Sequence, residues 1–428
     1  MSYSEFTKEQ LLDELSVLKS HYDNYVARGL SLDMSRGKPC KEQLDVSSPM
    51  LNVLNCDDLC ISQQGFDCRN YGILDGIPAA KELMSGMLQV KPEQVFVGGN
   101  SSLNLMFDTI SCFMTTPASE GEEPWFNVKD RKFLCPVPGY DRHFSITEYF
   151  GFEMITVPMT KEGPDMDIIE ELVSKDASIK GIWCVPKYAN PTGITFSDNT
   201  VRRFANLKPA AKDFRIMWDN AYCVHDLSDE GDTLLPLMAE CEKAGNPDMP
   251  IIFSSTSKVT FPGAGVAALG ASENNLKILK KRYTTQTIGF DKLNMIRHLL
   301  FFKNFDEIKA HMKKHGDILK PRFDTVISKF DEHIASFGIA NWTVPRGGYF
   351  VSIDVYPFTA KKIVNMCKEA GLVLTPAGAT YPLGKDPEDK NIRIAPSYPA
   401  VEELSLAMDV FCTCVKICAI EEILKEKA

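Results

Sequence analysis

Ile251-Ile252-Phe253-Ser254-Ser255-Thr256-Ser257-Lys258 is the stretch on which the reading of this chain turns. An apolar run gives way to hydroxyl side chains and ends on a lysine. Bounded by polar and Gly/Pro residues, the run predicts a buried strand. Lys258 then stands where the strand leaves the core. Behind it comes Val259-Thr260-Phe261-Pro262-Gly263-Ala264-Gly265, a loop with one proline and two glycines. Such a lysine is either a solvated surface charge or an amine held among hydroxyls that can hydrogen-bond a phosphate, ready to form a Schiff base. The stretch alone leaves both readings open.

Its neighbours repeat the pattern. Arg215-Ile216-Met217-Trp218-Asp219-Asn220-Ala221-Tyr222 is an apolar strand ending on an aspartate. Residues 181–185 form another and run into Pro186-Lys187-Tyr188-Ala189-Asn190-Pro191-Thr192-Gly193. Residues 132–137 form a third, ending at Pro138-Gly139-Tyr140-Asp141-Arg142-His143, and 152–157 a fourth. Val95-Phe96-Val97 leads into Gly98-Gly99-Asn100-Ser101-Ser102 and a helix over 103–114, and 266–270 is a further short strand. Apolar strands alternating with helices from about residue 80 to 270 predict an α/β fold, a mostly parallel sheet covered on both faces. Ligands of such sheets bind beyond the carboxyl ends of the strands. Asn100, Ser101, Tyr140, Asn190, Asp219, Tyr222 and Lys258 all fall there. The 98–102 turn also feeds a helix N-terminus, whose free N–H groups and positive dipole end suit an anion. Asn and Ser are equally ordinary N-caps, and the glycine spacing fits neither the Walker nor the dinucleotide pattern.

The flanks read differently. Leu11, Leu12, Leu15, Leu18, Tyr22 and Tyr25 recur at helical spacing within 5–29. Residues 32–39 are a short strand and a turn in which Arg36 and Lys38 flank Gly37, either approaching an anion or simply solvated. Residues 40–70 read as loop-rich. Tyr71, in an irregular stretch before a helix over 79–88, is either packed or reaching into a site. Residues 293–335 read as mostly helical, with a break or bend near Lys320-Pro321. Two strands around a glycine turn (342–353), a helix (359–370), a strand (372–375), a strand (391–395) and a helix (401–425) make an α+β unit. A chain of 428 residues exceeds one ordinary core. The expected division is 1–50 as a segment joining the small domain, 51–310 as the large domain and 311–428 as the small C-terminal domain.

Composition narrows the class. Charged residues are 24%, apolar residues 44% and the net charge −10, so no global basic field draws the chain to nucleic acid or an anionic membrane. No apolar run is long enough to span a bilayer. Met1-Ser2-Tyr3-Ser4-Glu5 lacks a signal-peptide pattern, and thirteen cysteines without an export signal point to reduced thiols in a cytoplasm. Cys56, Cys60 and Cys68, like Cys412, Cys414 and Cys418, lack paired C-x-x-C spacing, so no metal site is expected.

With these residues assembled, the chain resembles the fold-type I, pyridoxal-phosphate-dependent aminotransferases of class I/II along nearly its whole length. Ser255-Thr256-Ser257-Lys258 is similar to the family's Schiff-base lysine motif, and Asn190-Pro191-Thr192-Gly193 to its Asn-Pro-x-Gly turn. Asp219 with Tyr222 resembles the Asp-x-x-Tyr pair under the cofactor ring. Arg393, in Asn391-Ile392-Arg393-Ile394, resembles the arginine that clamps the substrate α-carboxylate. The Arg36-Gly37-Lys38-Pro39 turn is most similar to a bacterial aspartate aminotransferase subgroup related to MocR-type proteins. The resemblance implies pyridoxal 5'-phosphate as cofactor, Lys258 as its covalent anchor and proton shuttle, and Asp219 as the anion at the ring nitrogen. It puts Tyr222 and Asn190 at the ring oxygen, Tyr140 on the ring face, and Asn100, Ser101, Ser255 and Ser257 at the phosphate. It also implies Arg393, Gly37 and Asn190 at the substrate, and a homodimer in which Tyr71 reaches the partner's phosphate. The expected reaction is transamination between an L-amino acid and a 2-oxo acid, with aspartate and 2-oxoglutarate as first choice. A β-elimination or decarboxylation on the same fold is an alternative. So is a non-catalytic sensor, although the stretch before Arg36 is too short for a DNA-binding domain. One departure stands out: relatives carry a phosphate-pairing arginine where this chain has Gly265.

Overall fold

Runs of apolar residues with no polar alternation can satisfy themselves only in a sheet buried on both faces, and the core of the molecule is such a sheet. The computed structural model describes residues 2–427. Eight strands lie in the order Val95–Val97, Ala267–Ala271, Pro250–Ser255, Arg215–Asp219, Ile179–Cys184, Lys132–Val137, Glu153–Thr160 and Gly163–Pro164. The strands from Pro250–Ser255 to Glu153–Thr160 are parallel to one another. Ala267–Ala271 runs antiparallel to both its neighbours, and Gly163–Pro164 to its one. This is the mostly parallel α/β architecture expected. Trp218 packs edge-on against Phe196 and Phe204, while Phe133 and Trp183 pack with Trp125 and Phe152 in another cluster of the core. Each fully buried aromatic of this kind contributes about 2–3 kcal/mol.

The amino ends of the central strands carry buried charges that are paired. Lys180 Nζ lies 2.8 Å from Asp213 Oδ1, and Asp213 Oδ2 accepts the Trp125 indole N–H at 2.8 Å. Arg215 donates to Asn275 Oδ1 and to the Phe214 carbonyl, and burial lowers its pKa to about 10. Charges paired in this way hold structure.

A second core lies beside the first. Helix Lys8–Ala27, started by a Thr7/Gln10 capping box, packs through Leu11, Leu15 and Leu18 into a cluster with Phe330, Val410 and Phe411. Its sheets are the antiparallel Ala340–Trp342, Val351–Val355 and Asn391–Ile394, and the parallel pair Leu32–Asp33 and Leu372–Val373. Helix Phe305–His333 joins the cores: Ile308 and Met312 belong to the sheet cluster, Leu319, Phe323 and Val326 to the other. The expected 310/311 boundary falls inside this helix.

Three local expectations are corrected. The interruption in the 293–335 stretch is at residues 302–304, where the Asn304 side chain caps the new helix by accepting the Glu307 N–H at 3.0 Å; Pro321 lies inside Phe305–His333. A mid-helix proline forfeits one ladder bond. Here Arg322 ties the adjacent turn to the Ile318 and Pro399 carbonyls, at 2.7 and 2.8 Å. Within 40–70, Lys41–Ser47 is a helix whose Gln43 is fully buried. The 372–375 strand stops at Val373, because Thr375 turns to donate to the Ser35 carbonyl at 2.7 Å. Among the described residues no helix is long and apolar enough to cross a membrane, and no cluster suits a metal ion.

Four histidines are buried where the sheet meets the long helix: His225, His298, His311 and His315. Burial lowers His298 to about 4 and His315 to about 3, while His225 and His311 fall in the same direction. Unfolded, each titrates near ~6.5. Between the two values the unfolded chain binds the proton and the folded chain does not. The stabilisation is therefore complete above the unfolded value and is lost as pH falls below it, until the folded pKa is reached. At pH 5, His298 and His315 should each have cost on the order of 2 kcal/mol. Urea unfolding at pH 7 and pH 5 should show this loss, and His315→Gln should shrink it by about one histidine's share.

Candidate active site

The site is built on the carboxyl ends of the central strands. Strand Pro250–Ser255 ends in a single 3-10 turn, Thr256–Lys258, started by the Ser255 hydroxyl accepting the Ser257 N–H. The turn lifts Lys258 above the sheet, with Nζ 4.9 Å from the centre of the Tyr222 ring. Desolvation holds the Lys258 ammonium below its usual range, against the opposing pull of Asp219.

Asp219 closes the adjacent strand and is 3% exposed. Its Oδ2 accepts the His143 Nε2–H at 3.0 Å, and its buried Oδ1 has no partner. A buried carboxylate oxygen without a donor costs about 1–3 kcal/mol or more. At the amino ends of these strands the carboxylate of Asp213 has every oxygen answered; here one is left open. His143 is fixed by stacking on Trp183, 4.5 Å between centres at 12°, and by an edge contact with Tyr140 at 4.9 Å. Burial, with Asp219 adding to it, raises the Tyr140 and Tyr222 hydroxyls above the usual tyrosine range, so both are neutral donors.

Arg393 enters from the small antiparallel sheet, opposite Ser352 in register. It is 7% exposed. Nη1 donates to Asn190 Oδ1 at 3.1 Å and to Asp141 Oδ1 at 3.2 Å, and Nε and Nη2 donate to Thr375 Oγ1 at 3.3 and 3.2 Å. The guanidinium lies 4.8 Å over the Phe350 ring. Gly37 is required beside that ring, since a Cβ there would come within 2.5 Å of Phe350 Cζ. Gly193, at φ +69°, is likewise pressed on Pro345, so the Asn190 turn and the 345–350 hairpin fit only as glycine-bearing backbones. Arg393, Asn190 and Gly37 thus share one wall.

An anion cradle lies beside Lys258. Helix Ser102–Thr115 begins with no side-chain cap from Ser101, which leaves its first N–H groups free. The Ser257 hydroxyl donates to the Asn100 carbonyl at 2.8 Å, Ser255 Oγ lies 3.1 Å from Ser257 Oγ, and the Asn100 side chain is turned away to the Gly263 carbonyl. A Cβ on Gly265 would meet the Ser257 nitrogen and hydroxyl, both at 2.9 Å, and the Asn100 carbonyl at 3.1 Å. Any side chain at 265 would crowd the cradle. Tyr71 stands apart from these groups: it is 77% exposed and lines a separate cavity of about 450 Å³ with Lys292.

Sequence reasoning missed His143, Asp141 and Thr375 as partners of the two charged groups. The spacing of Tyr140 and His143, three apart across a helix start, could have put both on one face. Thr375 left no comparable signal.

An amine next to a free carboxylate oxygen, faced by an arginine, suits the transfer of an amino group on a substrate that carries a carboxylate. Fold and site together are those of an aminotransferase. Known proteins agree: residues 6–427 match the family model described as aspartate amino-transferase, and the chain belongs to that family of pyridoxal-phosphate-dependent aminotransferases. An aspartate aminotransferase of Corynebacterium glutamicum is 46% identical over 404 residues, covering 94% of this chain and 93% of that protein. The crystal structure of an aspartate transaminase from the same species superposes with a TM-score of 0.96 at 44% identity, covering 99% of both chains. An α-aminoadipate aminotransferase of Thermus thermophilus shares the fold, with a TM-score of 0.72 at 19% identity and 95% of each chain covered. A helix-turn-helix transcriptional regulator of Bacillus subtilis is 25% identical over 256 residues, 58% of this chain and 50% of that one, in keeping with the expected MocR-type kinship.

Proposed function

We propose that this aminotransferase moves the amino group of L-aspartate to 2-oxoglutarate, with pyridoxal 5'-phosphate held between Lys258 and Asp219. The observation that carries the reading is the buried, unpartnered Oδ1 of Asp219. It calls for a donor that the chain does not supply, and a protonated pyridine nitrogen is such a donor. The cradle at Ser255, Ser257, Asn100, Ser101 and Gly265, with its uncapped helix start, suits a phosphate. The Thermus relative was crystallised with a phosphopyridoxyl-leucine adduct, which favours the same assignment.

When bound, the cofactor supplies an aldehyde that takes up the amino group and a ring that draws electrons from the substrate Cα. The rest falls to the chain. Lys258 Nζ, whose ammonium burial disfavours, would take the substrate Cα proton and deliver it to the cofactor carbon that carries the aldehyde. Asp219 would hold a positive charge at the ring nitrogen, and His143 fixes its other oxygen so that the carboxylate cannot turn. The Tyr222 hydroxyl and the Asn190 amide would donate to the ring oxygen, and Tyr140 would cover the ring. Arg393 grips the α-carboxylate as a fork whose position Asn190, Asp141 and Thr375 already fix. A second carboxylate needs a second cation, for which the sequence offers Arg36, Lys38, Arg142, Lys187 and Arg346; Lys187 and Arg346 are engaged by Asp226 and Asp232, which favours the other three.

Arg393→Lys is expected to lower kcat/KM for aspartate about 10²-fold, since lysine offers no fork. Steady-state kinetics with aspartate at varied concentration measure it. We also propose a homodimer with shared sites, in which the exposed Tyr71 reaches its neighbour, and residues 51–310 as the cofactor-binding unit. Sedimentation at twice the chain mass checks the dimer. The deciding experiment is a visible spectrum of the purified protein. L-aspartate should bleach the cofactor band and 2-oxoglutarate restore it. A response to apolar amino acids but not aspartate would overturn the substrate. Release of pyruvate without a 2-oxo acid would overturn the reaction.

A further inference from the structure

We propose that His298 and His311 are positioning residues for Lys258, two neutral imidazoles of fixed tautomer that clamp its turn from beneath. The inference rests on the reading of Lys258 as the reacting amine.

The tautomers follow from what each nitrogen meets. His298 Nδ1 lies 2.8 Å from the Asn294 carbonyl, which can only accept, so Nδ1 carries the proton. Nε2 is then an acceptor, and it takes the Thr256 hydroxyl proton at 2.9 Å. Thr256 Oγ1 in turn accepts the Val266 N–H at 2.8 Å. The Thr260 hydroxyl donates to the Thr256 carbonyl, 3.2 Å away. Asn294 adds a second hold, its Nδ2 donating to the Ala264 and Gly265 carbonyls at 3.0 and 2.8 Å. Helix Lys292–Phe301 therefore grips both ends of the 256–266 loop through residues 294 and 298.

His311 acts from the long helix with the opposite tautomer. Its Nε2 faces the Val259 carbonyl at 3.0 Å and so is the protonated nitrogen, and Ser47 donates to the same carbonyl at 3.3 Å. His311 packs against His315, ring centres 4.9 Å apart and tilted by 47°, and the His315 Nδ1 accepts the Gln43 amide at 3.1 Å. The Gln43 amide also donates to the Tyr349 hydroxyl, which lies 3.5 Å from the Lys258 carbonyl. Thr256, Val259 and Thr260 are all buried, so these bonds have no water to replace them. Lys258 lies between two pinned neighbours, 256 on one side and 259 on the other. A flexible four-carbon stem can present its amine at one place only if its Cα is held, and a misplacement of about 1 Å costs on the order of 10²-fold in rate.

The test uses the full chain loaded with cofactor, with His298→Leu, His311→Leu, His298→Asn and His311→Gln. Glutamine at 311 can still donate to Val259. Asparagine at 298 keeps the hold on Asn294 and is too short for Thr256. The expected result is a kcat about 10-fold lower for both leucine variants and for His298→Asn, with KM within about twofold, and recovery in His311→Gln. Amide hydrogen exchange, read without substrate, should speed up over 256–266 in the impaired variants and stay unchanged over strand Ile179–Cys184. Unchanged kcat in folded His298→Asn would overturn the proposal, as would lost kcat with no faster exchange at 256–266. Exchange that speeds up equally in every strand would make the histidines merely structural and overturn it too. If the leucine variants fail to fold, His298→Asn and His311→Gln decide alone. Failure of the Lys258 reading itself would appear separately, as an active Lys258→Ala protein.

Discussion

Replacing Lys258 by alanine should lower kcat for transamination by about 10⁴-fold or more, while the chain still folds. Neither of two alternatives among the described residues is placed to serve. Lys187 is 6% exposed and engaged by Asp226 at 2.8 Å and by the Cys223 carbonyl. Lys292 lies in the separate cavity with Tyr71. Folding should survive because Lys258 makes no ion pair among the described residues and its burial opposes its charge, so its ammonium contributes little to stability. The measurement is a coupled assay for oxaloacetate beside a thermal melt. A drop in melting temperature by ten degrees or so, with activity lost in proportion to unfolding, would make Lys258 structural. Activity within tenfold of the parent would remove it from the chemistry altogether.

The residues legible in the sequence were those whose position follows from backbone geometry alone. Once 215–219 and 250–255 are neighbouring parallel strands, their last residues must face the same end of the sheet, and Asp219 and Lys258 meet there whatever their side chains do. Arg393 was legible as a type, through the motif around it, and Asn190 through its own turn, but Asp141 and Thr375, which also hold the guanidinium, were not. Asp141, Asn190 and Thr375 come from three separate elements and converge only through the packing of the small sheet on the large one. His143 was hidden for the same reason, 76 positions from the carboxylate it orients. The helix within 40–70 left a weak pattern because it is seven residues long and is held by buried Gln43 rather than by an apolar stripe. Pro321 misled because a proline was weighed by its local cost, while the helix holding it is anchored in two cores at once. Gly265 was read as a missing arginine. The structure gives it a positive role, since its bare Cα is what lets Ser257 and Asn100 close around the cradle.

Asp219→Asn should cut kcat by about 10³-fold and at the same time leave the cofactor-free chain more stable, by about 1 kcal/mol. The two effects have one cause. In the free chain Oδ1 is buried with nothing to bond, and the carboxylate carries a charge that the His143 N–H and the nearby Lys258 help to offset. Asparagine keeps an acceptor for the His143 Nε2–H and removes the charge that burial penalises. The loss of activity follows from the same removal, because a neutral amide cannot hold a positive charge on a ring nitrogen. Lys258 reports on the change independently. The Asp219 anion favours its ammonium, so in the cofactor-free variant the Lys258 pKa should fall further below the ordinary lysine range, and the amine should react with acylating reagents at lower pH than in the parent. Urea unfolding of the cofactor-free proteins, kcat of the loaded ones and the pH dependence of Lys258 acylation read the three effects. If stability and activity fall together, Asp219 is a structural carboxylate and its open oxygen has no bearing on function. Opposite signs are what a group held at a cost for its chemistry must give.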